Sequence, residues 1–366
     1  MDEGRIPNRL REFRDRLGLT QDQAAAELTR LAGWEPPVDG NAVSRHERGL
    51  FRPREDRQLV YARLYGAGVE QLWPTLPVDG HRPDASTGDH LAGLVHALRV
   101  ADDTEPTGSL IAASADLLGL AERLTDSARL ADRQDIGRVA AEAAMMRWWL
   151  LVDAGRDATA AHDRAMALAV EWGLTPLVGH LLGWRAGLAL AQGELTTAVR
   201  LARRARLPQW GMSAGGTAWA AAYEARAHVL RAAPEAARAL DVARDAFGRV
   251  DPAGEPPWLY WLTGSVLALD RLDMQLLAEG VSTVPAIEAE LVRLPAERTR
   301  DAAWYRAHIA AARVRAGDPE GAAQDAAEAA RLSVATGTTW TLAELHQLAG
   351  RAELGSLREA LADITQ

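Results

Sequence analysis

A short turn of glycine or alanine with an acidic residue recurs along the C-terminal part of the chain, each time ahead of alanines at helical positions. The turns are Gly155-Arg156-Asp157, Gly193-Glu194-Leu195, Ala232-Ala233-Pro234-Glu235 and Gly317-Asp318-Pro319-Glu320. The first three lie 38 and 39 residues apart, and the fourth follows after 85 residues, with Leu272-Asp273 as a weak turn between. Helix pairs repeated at such a period stack into an α-solenoid. Residues 90–366 show helical spacing without strand signals, so we expect helical hairpins throughout.

Local start and stop signals divide residues 1–76 into five short helices. Thr20 and Gln23 form the pair of a capping box, and Asp39 is a favourable N-terminal cap. The helices are expected at about residues 7–17, 20–31, 39–49, 54–65 and 69–73, with Leu59, Val60 and Leu64 as the apolar residues of the fourth. Residues 77–89 are rich in Pro, Gly and Asp and read as a linker. The chain is therefore predicted to be all-α, with a five-helix domain at 1–76 and a repeat domain at 90–366.

The composition excludes several kinds of chemistry. There is no cysteine, and all 41 basic residues are arginine, so thiol nucleophiles, Schiff-base lysines and phosphate-loop lysines are absent. The nine histidines are scattered, and no Gly-x-Ser-x-Gly or His-Glu-x-x-His motif occurs. We expect no catalytic residue, no metal site and no cofactor. An all-helical enzyme of another type is a remote alternative.

Hydropathy indicates a cytoplasmic protein with no membrane partner. No apolar run is long enough to span a bilayer. The first residues lack the charged-then-apolar layout of a signal peptide.

Three short stretches of the N-terminal domain carry a family resemblance. They are Gly18-Leu19-Thr20-Gln21, Val43-Ser44-Arg45-His46-Glu47-Arg48-Gly49 and Arg52-Pro53, with Leu10, Arg14, Leu59 and Leu64 at matching positions. With these motifs, residues 7–73 resemble the phage-repressor helix-turn-helix family, also called the xenobiotic-response-element (XRE) family. The chain departs from the family in His46, where Trp or Leu is common, and in about eight extra residues between the two helices of the motif.

The resemblance implies that double-stranded DNA is the partner and assigns roles to individual residues. Arg45 is expected to read a base, most plausibly guanine, and Asn41 an adenine or a phosphate. Arg14 and Glu47 match a structural ion pair. The remaining expected DNA contacts, to phosphate or to a groove edge, are Gln21, Ser44, Arg48, Arg52 and Arg54.

Charge favours a homodimer. The net charge is −9, but residues 1–76 hold 12 arginines and 12 acidic residues and are neutral as a whole. Because DNA affinity depends on local cations, a single neutral domain is expected to bind weakly. Duplication of the DNA-binding domain in a dimer compensates for this.

Residues 90–366 resemble degenerate tetratricopeptide repeats through the same turns and alanines. Trp148, Trp184, Trp219, Trp261 and Trp304 fall on the presumed first helices of successive repeats, which line the concave surface in that family. Most of the twelve tryptophans are expected in the core, but this set suggests a ligand pocket. Asp102-Asp103 reads as a solvated loop.

The two halves together are similar to bacterial regulators in which a repeat domain senses a peptide pheromone. This chain has only two asparagines, Asn8 and Asn41, whereas such relatives often hold the peptide backbone with asparagines. We therefore expect a dimeric transcriptional regulator whose effector is a peptide or, more in keeping with the composition, a small molecule. The alternative is a constitutive regulator whose repeats bind a partner protein.

Overall fold

The computed structural model describes residues 8–34, 37–73 and 83–351, and all regular structure in these ranges is helical. The chain divides into two compact units. The first comprises Met1–Pro83 with Asp126–Arg129, and the second comprises Asp84–Thr125 with Leu130–Gln366. None of the helices in the described ranges is long and apolar enough to cross a membrane.

Five helices form the first unit, as the sequence predicts. They are α1 (Leu10–Arg16), α2 (Gln21–Ala32), α3 (Gly40–Glu47), α4 (Glu55–Tyr65) and α5 (Val69–Leu72). The capping box is present: the Thr20 side chain accepts from the Gln23 amide while the Gln23 side chain accepts from the Thr20 amide. Asp39 caps α3, and Gly66 ends α4 in the left-handed conformation at φ 60°. Pro7, the predicted start of the first helix, lies outside the described residues.

The apolar side of α4 differs from the prediction at Leu59, whereas Val60 and Leu64 are partly buried and pack against the core as expected. Gln58, Tyr61 and Tyr65 face the core, and the ring of Tyr61 packs edge-on against Trp73 with centroids 5.6 Å apart. Leu59 is 63% exposed, because a helix turns about 100° per residue and the position after Gln58 leaves the buried side. The two tyrosines, with Val60 and Leu64, provide the apolar area in place of Leu59.

The second unit begins inside the predicted linker. Asp84 caps a helix that starts at Ala85, so residues 85–89 are helical, whereas residues 77–82 lie outside the described residues. The helices that follow the first unit are α6 (Ala85–Thr104), α7 (Thr107–Ser127), α8 (Arg133–Asp153), α9 (Thr159–Glu171), α10 (Thr175–Ala191), α11 (Leu195–Ala205), α12 (Ala214–Leu230), α13 (Ala236–Gly248), α14 (Gly264–Glu279), α15 (Val284–Leu291), α16 (Thr299–Ala316), α17 (Pro319–Thr336) and α18 (Trp340–Arg351). Short 3₁₀ segments lie at Pro208–Trp210, Pro252–Gly254, Pro257–Leu259 and Gly280–Thr283.

The four predicted turns are present and each joins two packed helices. Gly155, Gly193 and Gly317 adopt φ of 66°, 79° and 75°, and Ala232 adopts 49°. These turns close the hairpins α8–α9, α10–α11, α12–α13 and α16–α17. Alanines that follow the last three turns are buried, which lets the paired helices approach closely; they include Ala198, Ala202, Ala239, Ala322, Ala326 and Ala329. After the first turn Ala160 is exposed and Ala161 is partly buried.

The weak turn at Leu272-Asp273 is a wrong prediction. Both residues lie inside α14. Asp273 is buried there, where Arg226 and His308 donate hydrogen bonds to its carboxylate. Burial opposes ionisation of Asp273, but these two partners outweigh it and lower its pKa to about 2. The acidic residue that suggested a turn therefore holds neighbouring helices together.

Candidate functional sites: an exposed helix and an aromatic cavity

In the first unit, α3 is fixed in orientation by its cap and by two side chains. The Asp39 carboxylate accepts from the Ala42 amide at 2.7 Å. Val43 is fully buried, and His46 lies partly buried with its Nδ1 3.0 Å from the hydroxyl of Tyr61. Burial lowers the pKa of His46 to about 4, with Arg57 and Arg45 adding to the fall. His46 is thus a neutral packing residue, as expected of an apolar position.

The opposite side of α3 is open to solvent. Asn41, Arg45 and Arg48 are exposed, and Ser44 is partly buried between them. Arg48 donates to the Ser44 carbonyl at 3.3 Å, whereas the Arg45 side chain makes no hydrogen bond or ion pair within the part of the chain described. Three of the four predicted DNA-contacting residues of this helix therefore point away from the core.

A buried carboxylate ties α3 to α1 and α2. Arg14 Nε donates to Glu47 Oε1 at 2.5 Å and Arg14 Nη2 to Oε2 at 3.2 Å, and the Glu47 side chain is only 3% exposed. Gln21 Nε2 donates to the same Oε2 at 2.7 Å. The predicted ion pair is confirmed. Gln21, which was expected to contact a DNA phosphate, uses one of its two amide N–H groups in this hydrogen bond to Glu47.

Further arginines follow α3 in the sequence, in the loop before α4 and in its first turn. Arg52 and Arg54 are exposed, and Arg52 reaches Gln58 Oε1 at 3.3 Å. Gln58 in turn donates to the Pro53 carbonyl at 2.6 Å, which holds the loop before α4. Arg57 stacks over the ring of Trp34 at 4.9 Å. Arg52 and Arg54 thus carry exposed charge on a loop whose backbone is held.

The second unit contains a partly open cavity of about 150 Å³ with a largely aromatic wall. Tryptophans from six segments line it, together with Tyr223, Tyr260 and Tyr305. The tryptophans are Trp149, Trp184, Trp219, Trp258, Trp261, Trp304 and Trp340.

Six of these indoles form a continuous chain of ring contacts. The centroid distances are 4.3 Å for Trp184–Trp149, 5.7 Å for Trp149–Trp340, 6.3 Å for Trp340–Trp304, 6.3 Å for Trp304–Trp219 and 5.1 Å for Trp219–Trp261. Such tilted and edge-to-face contacts suit the quadrupoles of aromatic rings. Residues far apart in sequence are brought into one wall.

Four of the five tryptophans predicted to line a pocket line this cavity, and the fifth, Trp148, lines a separate pocket with His162 and Arg185. Trp184, Trp219 and Trp304 lie on α10, α12 and α16, but Trp261 lies in the turn before α14 rather than on a helix. Trp148 does not line this cavity: it is 2% exposed and packs edge-on against His162. Its neighbour Trp149 takes the cavity position.

Sequence reasoning also missed Trp258 and Trp340 as lining residues. Trp340 opens α18, near the end of the described chain, and it reaches the cavity only through the packing of distant helices. For Trp149, the adjacent pair Trp148-Trp149 was the only signal in the sequence. The pair does not indicate which of the two side chains lines the cavity.

The polar end of the cavity corrects the expectation for Asp102-Asp103. Both lie in the last turn of α6, and Asp102 is buried. Arg300 Nη1 lies 2.8 Å from Asp102 Oδ1, and Arg300 Nε lies 3.3 Å from Asp153 Oδ2. The two aspartates are not a solvated loop, because α6 continues to Thr104 and neutralising arginines approach from elsewhere in the unit.

A second arginine is shared in the same way. Arg298 Nη1 lies 3.5 Å from Asp103 Oδ1 and 3.5 Å from Asp301 Oδ2. Burial raises the pKa of Asp102 to about 6 against the effect of Arg300, and burial raises that of Asp301 to about 6 against Arg298. The aromatic wall therefore ends in a crowded set of carboxyl and guanidinium groups.

A comparison with protein-family models gave no match to this chain, and a comparison with curated proteins gave none either.

Proposed function

We propose that the protein is a sequence-specific, DNA-binding transcriptional regulator that acts as a homodimer in the cytoplasm and responds to an effector. The observation that carries this proposal is the open side of α3. Asn41, Arg45 and Arg48 project from it, while Val43 and Glu47 hold the other side. An Arg guanidinium matches guanine O6 and N7, and an Asn amide matches adenine N6 and N7, in the major groove.

The rigidity of the first unit supports this role. The Glu47 carboxylate joins α1, α2 and α3 through charge-assisted hydrogen bonds, which are stronger than neutral ones. A preorganised helix loses less conformational entropy on binding. We assign phosphate contacts to Arg48, Arg52 and Arg54, and a further one to the free amide donor of Gln21, since such contacts set the register on the duplex. Ser44 is assigned a weaker contact.

The second unit supports the sensing role. Its hairpins follow one another at intervals typical of tetratricopeptide-like solenoids, and we assign the effector to the aromatic cavity. An effector that binds one conformation of this unit better than another shifts the population of DNA-binding states.

The test begins with selection of preferred sites from double-stranded DNA with a randomised central segment, using the full-length chain. We expect one recurrent motif, and Arg45→Ala should weaken binding to it by about 1–3 kcal/mol, about 5- to 150-fold, with relaxed preference at one base pair. Asn41→Ala should relax a neighbouring position.

Arg63→Ala is the matched control, because Arg63 is an exposed arginine on α4 of the same unit. It should leave the selected motif and the affinity for it within twofold. Failure to enrich any motif, or equal effects of the Arg45 and Arg63 substitutions, would rule out the proposed reading helix.

A further inference from the structure

We propose that the cavity of the second unit binds a small organic cation: a protonated amine on a flat apolar body that also carries a hydrogen-bond-accepting oxygen. This inference deepens the effector part of the proposed function and rests on it for its biological meaning. Its chemistry is argued from the cavity alone.

The aromatic wall suits a cation with an apolar body. Ammonium groups are attracted to indole faces, and the attraction grows when water is excluded. A volume of about 150 Å³ matches that of an engineered cavity that accepts benzene. A ligand with a single aromatic ring is therefore of the right size, and the carboxyl groups in the same wall are available to a charged group on a short chain.

Among the described residues, five buried indole donors lack a hydrogen-bond partner, and three of them line the cavity: those of Trp219, Trp261 and Trp340. Nε1 of Trp261 and Nε1 of Trp340 are buried and make no hydrogen bond there, and Trp340 as a whole is only 7% exposed. Trp149, by contrast, donates to Asp102 at 2.9 Å. A buried donor without an acceptor costs free energy. A ligand oxygen in the cavity would satisfy one of them.

The charges favour a cation over an anion. Five carboxyl groups line the cavity against three guanidinium groups, a formal charge of −2. One of the three, Arg99, is already paired with Glu142 at 2.7 Å. Glu297 is exposed, but Asp102 and Asp153 are buried and Asp103 and Asp301 are partly buried. A surplus of carboxylates with reduced access to water attracts positive charge more strongly than one in bulk water.

The remaining two guanidinium groups are occupied as well. Arg300 lies between Asp102 and Asp153, and Arg298 lies between Asp103 and Asp301. An anionic ligand would have to displace a carboxylate from one of them. An ammonium ion needs no such displacement. Each arginine is shared by two carboxylates, so net negative charge remains to attract the ammonium group.

The test compares ligands of one shape and different charge. Tyramine, tyrosol and 3-(4-hydroxyphenyl)propionate present a cation, a neutral alcohol and an anion on the same phenol. Binding to the full-length chain is measured by calorimetry without DNA at about pH 7.5. At that pH Asp102 and Asp301, with pKa values of about 6, are ionised. We expect tyramine to bind at least about tenfold more tightly than tyrosol, and the propionate most weakly. Phenethylamine, which lacks the phenolic oxygen, should bind more weakly than tyramine.

Asp103→Asn with Asp301→Asn removes two of the carboxylates and should bring the tyramine-to-tyrosol affinity ratio close to one. Asp241→Asn, at an exposed aspartate on α13, should leave the ratio unchanged. If the double variant does not fold, the comparison of the three ligands on the unmodified chain decides.

Absence of tyramine binding, equal affinity for tyrosol, or preference for the propionate would each overturn the inference. Because the calorimetry contains no DNA and the site selection contains no ligand, failure of either proposal is seen independently of the other.

Discussion

At the scale of single residues, one carboxylate accounts for much of the order in the first unit. Glu47 is the last residue of α3, yet its side chain is buried against Arg14 of α1 and Gln21 of α2. Arg14 also donates to the Leu19 carbonyl at 2.7 Å, which fixes the turn between these two helices. A buried ion pair is weak evidence for net stability, but removal of one partner leaves the other charge unpaired.

Glu47→Ala should therefore destabilise the first unit by up to about 3–5 kcal/mol, since Arg14 keeps only the solvent-exposed carboxylate of Asp15, at 2.8 Å, as a counter-ion. Glu27→Ala is the control: Glu27 forms an exposed pair with Arg30 at 2.8 Å, and such pairs contribute about 0–1 kcal/mol. Amide hydrogen exchange of peptides from α1, α2 and α3 reports the change. Equal protection in the two variants would show that the buried pair is not needed.

For single residues, the sequence predicted the kind of interaction better than the direction in which a side chain points. The Arg14–Glu47 pair and the exposure of Arg45 follow from a short motif whose geometry is local. Trp148 and Trp149 have the same chemistry and point about 100° apart on α8, so only the packing of distant helices decides which one lines the cavity. The burial of Asp102 depends likewise on Arg300, which is 198 residues further along.

At the scale of elements, helix ends were predictable and helix lengths were less so. The capping box at Thr20 and the left-handed turns at Gly155, Gly193 and Gly317 are specified by local hydrogen bonding and by backbone freedom. The continuation of α14 through Asp273 is not, because its carboxylate is stabilised by partners on other helices.

Close approach of elements around the cavity depends on Gly187 of α10. A Cβ at this position would lie 2.7 Å from Tyr223 and 3.0 Å from Trp340, on α12 and α18. Gly187→Ala should destabilise the second unit by about 1–3 kcal/mol through overpacking. Gly93→Ala, in α6 with open space around the added methyl, should be neutral or stabilising by up to about 1 kcal/mol. Chemical denaturation followed by tryptophan fluorescence compares them, and a stabilising Gly187→Ala would refute the packing argument.

At the scale of the whole molecule, charge sets the conditions for the proposed DNA binding. The chain carries −9 overall, so its affinity for a polyanion has to come from locally exposed arginines. Each phosphate contact releases counter-ions and contributes about −0.9 to the slope of log K against log salt. With the three proposed phosphate contacts of Arg48, Arg52 and Arg54, the expected slope is about −2.7 for one domain and about −5.4 for two.

The change that one substitution makes in this slope indicates how many DNA-binding domains contact the duplex. Arg54→Ala removes one exposed charge per chain, so it should make the slope less negative by about 1 if one domain binds and by about 2 if a dimer binds. Fluorescence anisotropy with the selected duplex at about 50–200 mM salt measures the slope, and a duplex holding a single half-site serves as the control. We expect a change of about 2 on the full site and about 1 on the half-site. A change of about 1 on both would mean that a monomer binds, and that the neutral first unit reaches its affinity without duplication.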